Sequence, residues 1–258
     1  MIRSARMVVW LLPVLIVASW EVAVRTHFVP PSQAATPSDV VIRLFRLMAS
    51  GPLLIHASYS MFRIALGVVL GSLIGVLTSV LVARSRTVNV LFSPTVQLLA
   101  GIPVVVWIPF WVMFFGTDEA FKIAMAAIST FFLVHLQTLQ ALRTVERDYM
   151  ELSAIYEKTP WQRAVDVMLP SAAPAILMAI RTSLIFGWVV IFFVEYASAT
   201  QGSEGLGWFI ADARAMGRIE DEFAGLLFLA VIAYVCDKLL GRLQRRLLVW
   251  SDTEENAG

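Results

Sequence analysis

Long apolar stretches separated by short polar connections run through the whole chain. A helix needs about 20 apolar residues, rising about 1.5 Å each, to cross a hydrocarbon core roughly 30 Å thick. Six windows meet that need: residues 7–24, 64–82, 91–115, 120–142, 172–194 and 223–240. They predict an all-α integral membrane protein with six transmembrane helices, the whole chain 1–258 forming one transmembrane domain. The first window is long for the apolar core of a signal peptide. No small-residue cleavage pattern follows it directly, so it is read as a retained span.

Positive charge sets the direction of the spans, because Lys and Arg are retained on the cytoplasmic side. With both termini in the cytoplasm, the inside segments hold twelve Lys and Arg and the outside segments five. Arg63, Lys122 and Arg181 lie in or beside spans and complete the twenty. Both termini are therefore expected inside. Composition agrees with a membrane protein: 59% of the residues are hydrophobic and 15% charged, with a mean hydropathy of +0.76. A soluble domain carries about 45–50% apolar and about 25% charged residues.

Other classes find little support. The net charge of +1 gives no reason to expect nucleic acid or another polyanion as partner. Cys236 is the only cysteine, so an intrachain disulfide and a cysteine-based metal cluster are excluded. His27, His56 and His135 are scattered and make no metal-ligand spacing. Neither a glycine-rich phosphate loop nor a Gly-x-Ser-x-Gly elbow occurs, so no enzyme chemistry is expected.

The connections carry their own signals. Pro30, Pro31 and Pro37 make an irregular outer link. Pro37-Ser38-Asp39 then starts a short amphipathic helix to about Ser50, capped by Ser38 or Asp39, with Val40, Val41, Leu44, Leu47 and Met48 on its apolar side. Such a helix is expected on the outer membrane surface. Residues 242–250 read as a basic interfacial extension and 251–258 as a polar tail, with no soluble domain appended.

Three features within the spans stand out. Gly67, Gly71 and Gly75, followed by Ser79 and Ala83, recur at four-residue spacing and form a smooth groove for a packed neighbour, within the chain or on another subunit. Pro94, Pro103 and Pro109 interrupt the third span, and Pro103 through Trp107 to Pro109 marks a bent helix facing protein or a cavity. Arg181 lies eleven residues beyond Pro170, about 16 Å into the membrane. A charge there should face water or a partner. Gln137, Gln140 and His135 on the fourth span, or a group on another subunit, are its candidate partners, while Glu195 is too far along the same helix.

The longest inside connection, residues 143–170, is helix-compatible, charged and interrupted by Thr159-Pro160. It predicts a short helix over 149–158, a break, and a second helix entering the membrane at Leu169-Pro170. This segment resembles the cytoplasmic coupling loop of binding-protein-dependent ABC importer permeases, which reads Glu-Ala-Ala, three residues, Gly, and later Leu-Pro. Glu151 matches the family's Glu, and Leu169 and Pro170 match its Leu-Pro. Trp161-Gln162 resemble the nitrate, sulfonate and taurine branch, and Pro103, Pro109, Arg181, and Glu195 ahead of Gly205-Leu206-Gly207 are further matches to the family. Three positions depart from the pattern: Leu152 and Ser153 replace the alanines and Glu157 replaces the glycine. Glu157 cannot bend as cheaply as glycine, so the break is expected to move to Thr159-Pro160.

The resemblance implies a type I ABC importer-like permease in the bacterial cytoplasmic (inner) membrane. Its partners would be a cytosolic ABC ATPase, a second permease chain and an extracytoplasmic substrate-binding protein. The second chain would make a homodimer, or a heterodimer as Glu157 suggests. ATP and Mg would bind to the ATPase, leaving no cofactor in this chain. Glu151, Leu152, Ser153, Glu157, Lys158, Leu169 and Pro170 would carry the ATPase coupling, and Arg181, Glu195, Gln137, Pro103, Trp107 and Pro109 would line the translocation pathway. The expected cargo is a small anion such as nitrate, a sulfonate or taurine. The alternatives are a heterocyclic vitamin precursor as cargo or, less well supported, a secondary carrier or a membrane scaffold.

Overall fold

The computed structural model describes residues 2–145, 147–199 and 203–247, so the predicted tail at 251–258 and the end of the basic extension at 248–250 lie outside the described residues. Eleven α-helices occur among the described residues: α1 (Ile2–Arg25), α2 (Pro37–Ser50), α3 (Pro52–Arg84), α4 (Arg86–Ala100), α5 (Ile108–Phe115), α6 (Glu119–Arg143), α7 (Arg147–Ile155), α8 (Pro160–Arg163), α9 (Leu169–Ala197), α10 (Leu206–Ala215) and α11 (Ile219–Leu247). Four paths are long and apolar enough to cross a bilayer: α3, α6, the run from Pro160 through α9, and α11. The pair α4 and α5 makes a fifth if counted as one span. The first predicted window lies within α1, a helix of 24 residues.

The chain divides into two compact units, and the boundary falls within α3 and α11. The unit of residues 1–59 and 199–232 holds α1, α2 and α10. Its amphipathic helix begins and ends where expected, but the cap is Thr36, whose side chain accepts from the Asp39 backbone N–H, and not Ser38 or Asp39. Thr36 sits one residue before Pro37, which occupies the first helical turn where a missing N–H costs nothing. Val40, Leu44 and Leu47 are buried, whereas Val41 is exposed. Charged pairs tie this unit together. Arg43 holds the Asp221 carboxylate with two nitrogens, the second at 3.2 Å, and that hydrogen bond raises the guanidinium pKa above its ordinary value. Arg218 bridges Asp221 at 3.0 Å and Asp212 at 2.5 Å.

The second unit, residues 60–198 and 233–258, is built on α6 and α9. α3 lies against α6 through its glycines. A Cβ built on Gly67 would come within 2.4 Å of the Ala126 Cβ, and one on Gly71 within 2.3 Å of the Ala127 carbonyl oxygen. At Gly75 the corresponding approach to the His135 backbone nitrogen and the Val134 Cβ is 3.1 Å. The groove therefore packs against the fourth span of the same chain. In lipid such close backbone approach takes over the role that apolar burial plays in water.

The third predicted span is not one bent helix but two helices meeting at 90°. α4 tolerates Pro94 in its interior, then stops at Gly101. Pro103 starts a 3-10 turn over Val104–Trp107, and Pro109 falls in the first turn of α5. Proline removes the donor that would continue a helix but suits the start of one, which explains a stop at Gly101–Pro103 and a restart by Pro109.

Candidate translocation and coupling site

Arg181, the deepest sequence-predicted charge, sits on α9 and meets an acid that the sequence analysis did not name. Its Nε donates to Asp237 Oδ1 at 2.7 Å and its Nη2 to Asp237 Oδ2 at 2.9 Å. Asp237 lies on α11. The expected partners Gln137, Gln140 and His135 are thus replaced. His135 instead contacts the Thr78 hydroxyl through Nδ1 at 2.8 Å, with its ring beside Phe92 and Phe131. A bidentate arginine–carboxylate pair satisfies both charges in one plane, which is the least costly way to keep an arginine inside an apolar layer. Gly241 makes room for it: a Cβ there would lie 3.1 Å from Arg181 Cζ. The signal that would have found Asp237 is plain in hindsight, since it is an acid inside a predicted apolar window.

Glu195 is held by a different set of residues. Its two carboxylate oxygens each accept from the Ser60 hydroxyl at 2.9 Å, and Oε1 also accepts from Arg63 Nη1 at 2.6 Å. Arg63 then reaches Glu119 with Nε and Nη2, both at 2.6 Å, and Lys122 Nζ donates to Glu119 Oε1 at 3.0 Å. Arg63 and Lys122 are thereby linked to the carboxylates of Glu195 and Glu119 in one chain of contacts. Arg63 and Glu195 are each 1% exposed, whereas the Glu119 side chain is 55% exposed, so one end of the chain opens to the surface. The sequence analysis missed Arg63 and Glu119 because both lie one residue outside an apolar window, while the helices that carry them extend further.

The remaining pathway candidates do not converge on these two sites. Gln137 is half-buried on α6, Pro103 and Pro109 are exposed, and Trp107 is half-buried at the 90° bend. Trp107 packs on a buried cluster of Ile108, Phe121, Met125, Val190 and Val194, and its indole N–H has no partner among the described residues.

The coupling segment differs from expectation in a specific way. The first helix, α7, ends at Ile155, and the chain turns at Glu157, which takes the left-handed conformation with φ of +52°. Lys158 N donates back to Ser153 O at 3.2 Å and Tyr156 N to Leu152 O at 3.1 Å, closing the helix end around that residue. The break therefore has not moved to Thr159-Pro160: Glu157 itself makes the bend that glycine would make. Thr159 opens the next helix instead. Its hydroxyl accepts from Gln162 N at 3.3 Å and its N–H donates to Gln162 Oε1 at 2.8 Å, a reciprocal cap. The second helical run thus begins at Pro160 and not at Leu169-Pro170. It passes through a widened π turn at Ala164–Met168 before α9. Pro170 has no N–H for the Asp166 carbonyl, and a wider turn upstream accommodates that loss.

On α7, Glu151 and Leu152 are exposed and Ser153 is buried. Tyr149, Leu152, Ile155 and Tyr156 all present large exposed apolar surface, Ile155 reaching 76%. Lys158 pairs with Asp166 at 2.7 Å. Leu169 is half-buried and Pro170 exposed. α7 thus presents an uncovered apolar side beside the bend at Glu157, and from Pro160 the helical path runs on into α9.

Known proteins agree with this architecture. Residues 67–248 match the family described as the binding-protein-dependent transport system inner membrane component. The chain is 32% identical over 245 residues to SsuC of Bacillus subtilis (strain 168), named for aliphatic sulfonates transport, covering 95% of this chain and 88% of that one. It is 27% identical over 252 residues to the taurine transport system permease TauC of Escherichia coli (strain K12), covering 96% and 90%. Its fold superposes on a chain of a bacterial ABC transporter for the import of the acidic polysaccharide alginate, with a TM-score of 0.68 at 16% identity, covering 95% of this chain and 97% of that one. The chain therefore belongs to the binding-protein-dependent transport system inner membrane components, and is a multi-pass permease subunit of an ABC importer, a transporter rather than an enzyme.

Proposed function

We propose that residues 1–258 act as one permease domain in a bacterial cytoplasmic membrane, carrying a small sulfonate-type solute inward, with taurine or an alkanesulfonate the leading candidate. In this reading the six spans at 7–24, 64–82, 91–115, 120–142, 172–194 and 223–240 enclose the pathway with a second permease chain, and 143–170 projects into the cytoplasm. An extracytoplasmic binding protein delivers the solute, and a cytosolic ATPase binds ATP and Mg and supplies the work. The relatives named for sulfonates and taurine support this cargo over a heterocyclic vitamin precursor.

The observation that carries the coupling role is the uncovered apolar side of α7, with Leu152, Ile155 and Tyr156 exposed beside the bend at Glu157. Glu151, Ser153, Lys158, Leu169 and Pro170 complete the contact and its link to α9. Because Glu157 keeps the bend, the loop itself gives no motive for a second, different permease, which favours a homodimer. Arg181 with Asp237, Glu195 with Arg63, Gln137, and the Pro103–Trp107–Pro109 bend are the pathway residues, and Gly67, Gly71 and Gly75 set the packing around it.

The test is uptake of labelled taurine or an alkanesulfonate by cells expressing the full system with Glu151→Arg. Uptake should fall to background while the permease stays at its normal level in the membrane and its co-purifying ATPase is lost. Normal uptake would sink the coupling role.

A further inference from the structure

We propose that the ends of α3, α6 and α8 form a seat for the headgroup of an anionic phospholipid, held by Arg84 and Arg163. A hollow of about 210 Å³ lies there, lined by Val80, Ala83, Arg84, Leu142, Arg163 and Met168. Its floor belongs to a buried apolar cluster of Val80, Leu142, Ala164 and Ala172. Among the described residues its rim holds two guanidiniums and no carboxylate.

Neither arginine meets an acid among the described residues. Arg163 gives its Nε to the Lys158 carbonyl at 2.9 Å and makes no ion pair among the described residues. Arg84 places its guanidinium carbon 5.9 Å from the ring centroid of Trp161, and no acid among the described residues pairs with it. The nearest acid in sequence to Arg163, Asp166, is already engaged by Lys158 at 2.7 Å. Two cations with no acid partner among the described residues, set over an apolar floor, call for a ligand that is anionic at one end and apolar at the other. A free phosphate would answer only the rim. A phospholipid headgroup answers both, with phosphate at the guanidiniums and glycerol with its first methylenes on the floor.

The level in the membrane agrees. Arg84 closes α3, Leu142 lies one residue before the end of α6, and Arg163 closes α8 at the entry to the π turn. These ends gather on the arginine-rich side that the charge count assigns to the cytoplasm, and the choice of leaflet rests on that orientation. Trp161 is more than half exposed, an amphipathic ring of the kind that settles among headgroups. Basic pockets between spans on the cytoplasmic side take anionic headgroups by the same electrostatics. The π turn that lines the hollow is also the joint between the α7–α8 element and α9, so an occupied seat would brace that joint against the bilayer.

Native mass spectrometry of the full chain in mild detergent tests the seat, with phosphatidylglycerol, phosphatidylcholine and inorganic phosphate as probes. Phosphatidylglycerol should bind and phosphatidylcholine should not, and millimolar phosphate should fail to displace the lipid. Arg84→Gln and Arg163→Gln should each weaken binding roughly fivefold, and the pair about 25-fold, the worth of one basic residue each at an anionic surface. Arg84→Lys should retain most of the lipid, which separates loss of charge from loss of fold. Ala83→Phe fills the hollow, leaves both arginines in place, and should lose the lipid as well. Equal binding by the double variant would overturn the seat. Displacement by phosphate would reassign it to a free anion. Unchanged lipid with loss of the co-purifying ATPase would give the hollow to an ATPase side chain. None of these outcomes depends on uptake, so the seat can fail while the coupling role of α7 stands.

Discussion

Arg63 on α3 and Glu195 on α9 pair at 2.6 Å, each 1% exposed, while Arg63 also donates to Glu119 and Glu195 also accepts from Ser60. A buried pair of this kind adds little over two well-packed apolar residues, but breaking it strands a charge where no water can reach. Its worth is in fixing which helices meet and in what register.

Glu195→Ala should therefore lower stability by about 3 kcal/mol, toward the low end for a broken buried pair because Glu119 still holds Arg63. Glu119→Ala should cost less, since that carboxylate is 55% exposed and already shares its charge with water. Thermal denaturation of the detergent-solubilised chain checks the order. Equal midpoints for Glu195→Ala and the unaltered protein would show that the pair is not what joins the two helices.

At the second charge site the smallest residue is the control point. Gly241→Ala should be nearly silent, because its Cβ at 3.1 Å from Arg181 Cζ asks only for a few tenths of an ångström from a flexible side chain. Gly241→Leu should push Arg181 off Asp237 and reduce uptake more than tenfold, as Arg181→Leu should. Membrane levels measured alongside distinguish a pathway effect from loss of the protein.

The glycine groove predicts a ranked series. Gly71→Ala and Gly67→Ala should each destabilise by about 1–3 kcal/mol, because the new carbon would press on α6 at 2.3 and 2.4 Å and the helices would have to part. Gly75→Ala, at 3.1 Å, should cost less. Steady-state membrane level and thermal midpoint both report the order, and a reversed order would show that α3 does not rest on α6 in this way.

A residue other than glycine in the left-handed conformation costs about 1–2 kcal/mol. Glu157→Gly should remove that strain, raise the protection of α7 against limited proteolysis, and leave uptake intact. Glu157→Ile, with a branched β-carbon that opposes φ of +52°, should loosen the bend and reduce uptake. Greater proteolysis of the glycine variant would mean that the glutamate side chain stabilises the bend rather than straining it.

The apolar windows were legible because a membrane imposes one length and one composition on every helix that crosses it. Their ends were not. α3 begins twelve residues before its window and α11 extends seven beyond its own, since helical hydrogen bonding continues past the point where lipid contact stops. The α3 extension carries Ser60 and Arg63, and Glu119 is the residue by which α6 precedes its window, so this ion network was cut off by the windows used to find the spans. Glu157 was misjudged for the opposite reason: local preference argued against a bend there, and the surrounding helix end imposed one.

Hydropathy and charge along the chain were enough to determine the membrane class and, with the Glu151 and Leu169-Pro170 pattern, the family. Both signals are properties of single segments against a solvent, and need no partner to be read. Which charge meets which was decided only by the tertiary structure. Arg181 could have taken any polar group at its depth, and packing of α9 beside α11 selected Asp237, 56 residues away. A pairing energy depends on distance and burial, and neither is written in one segment alone.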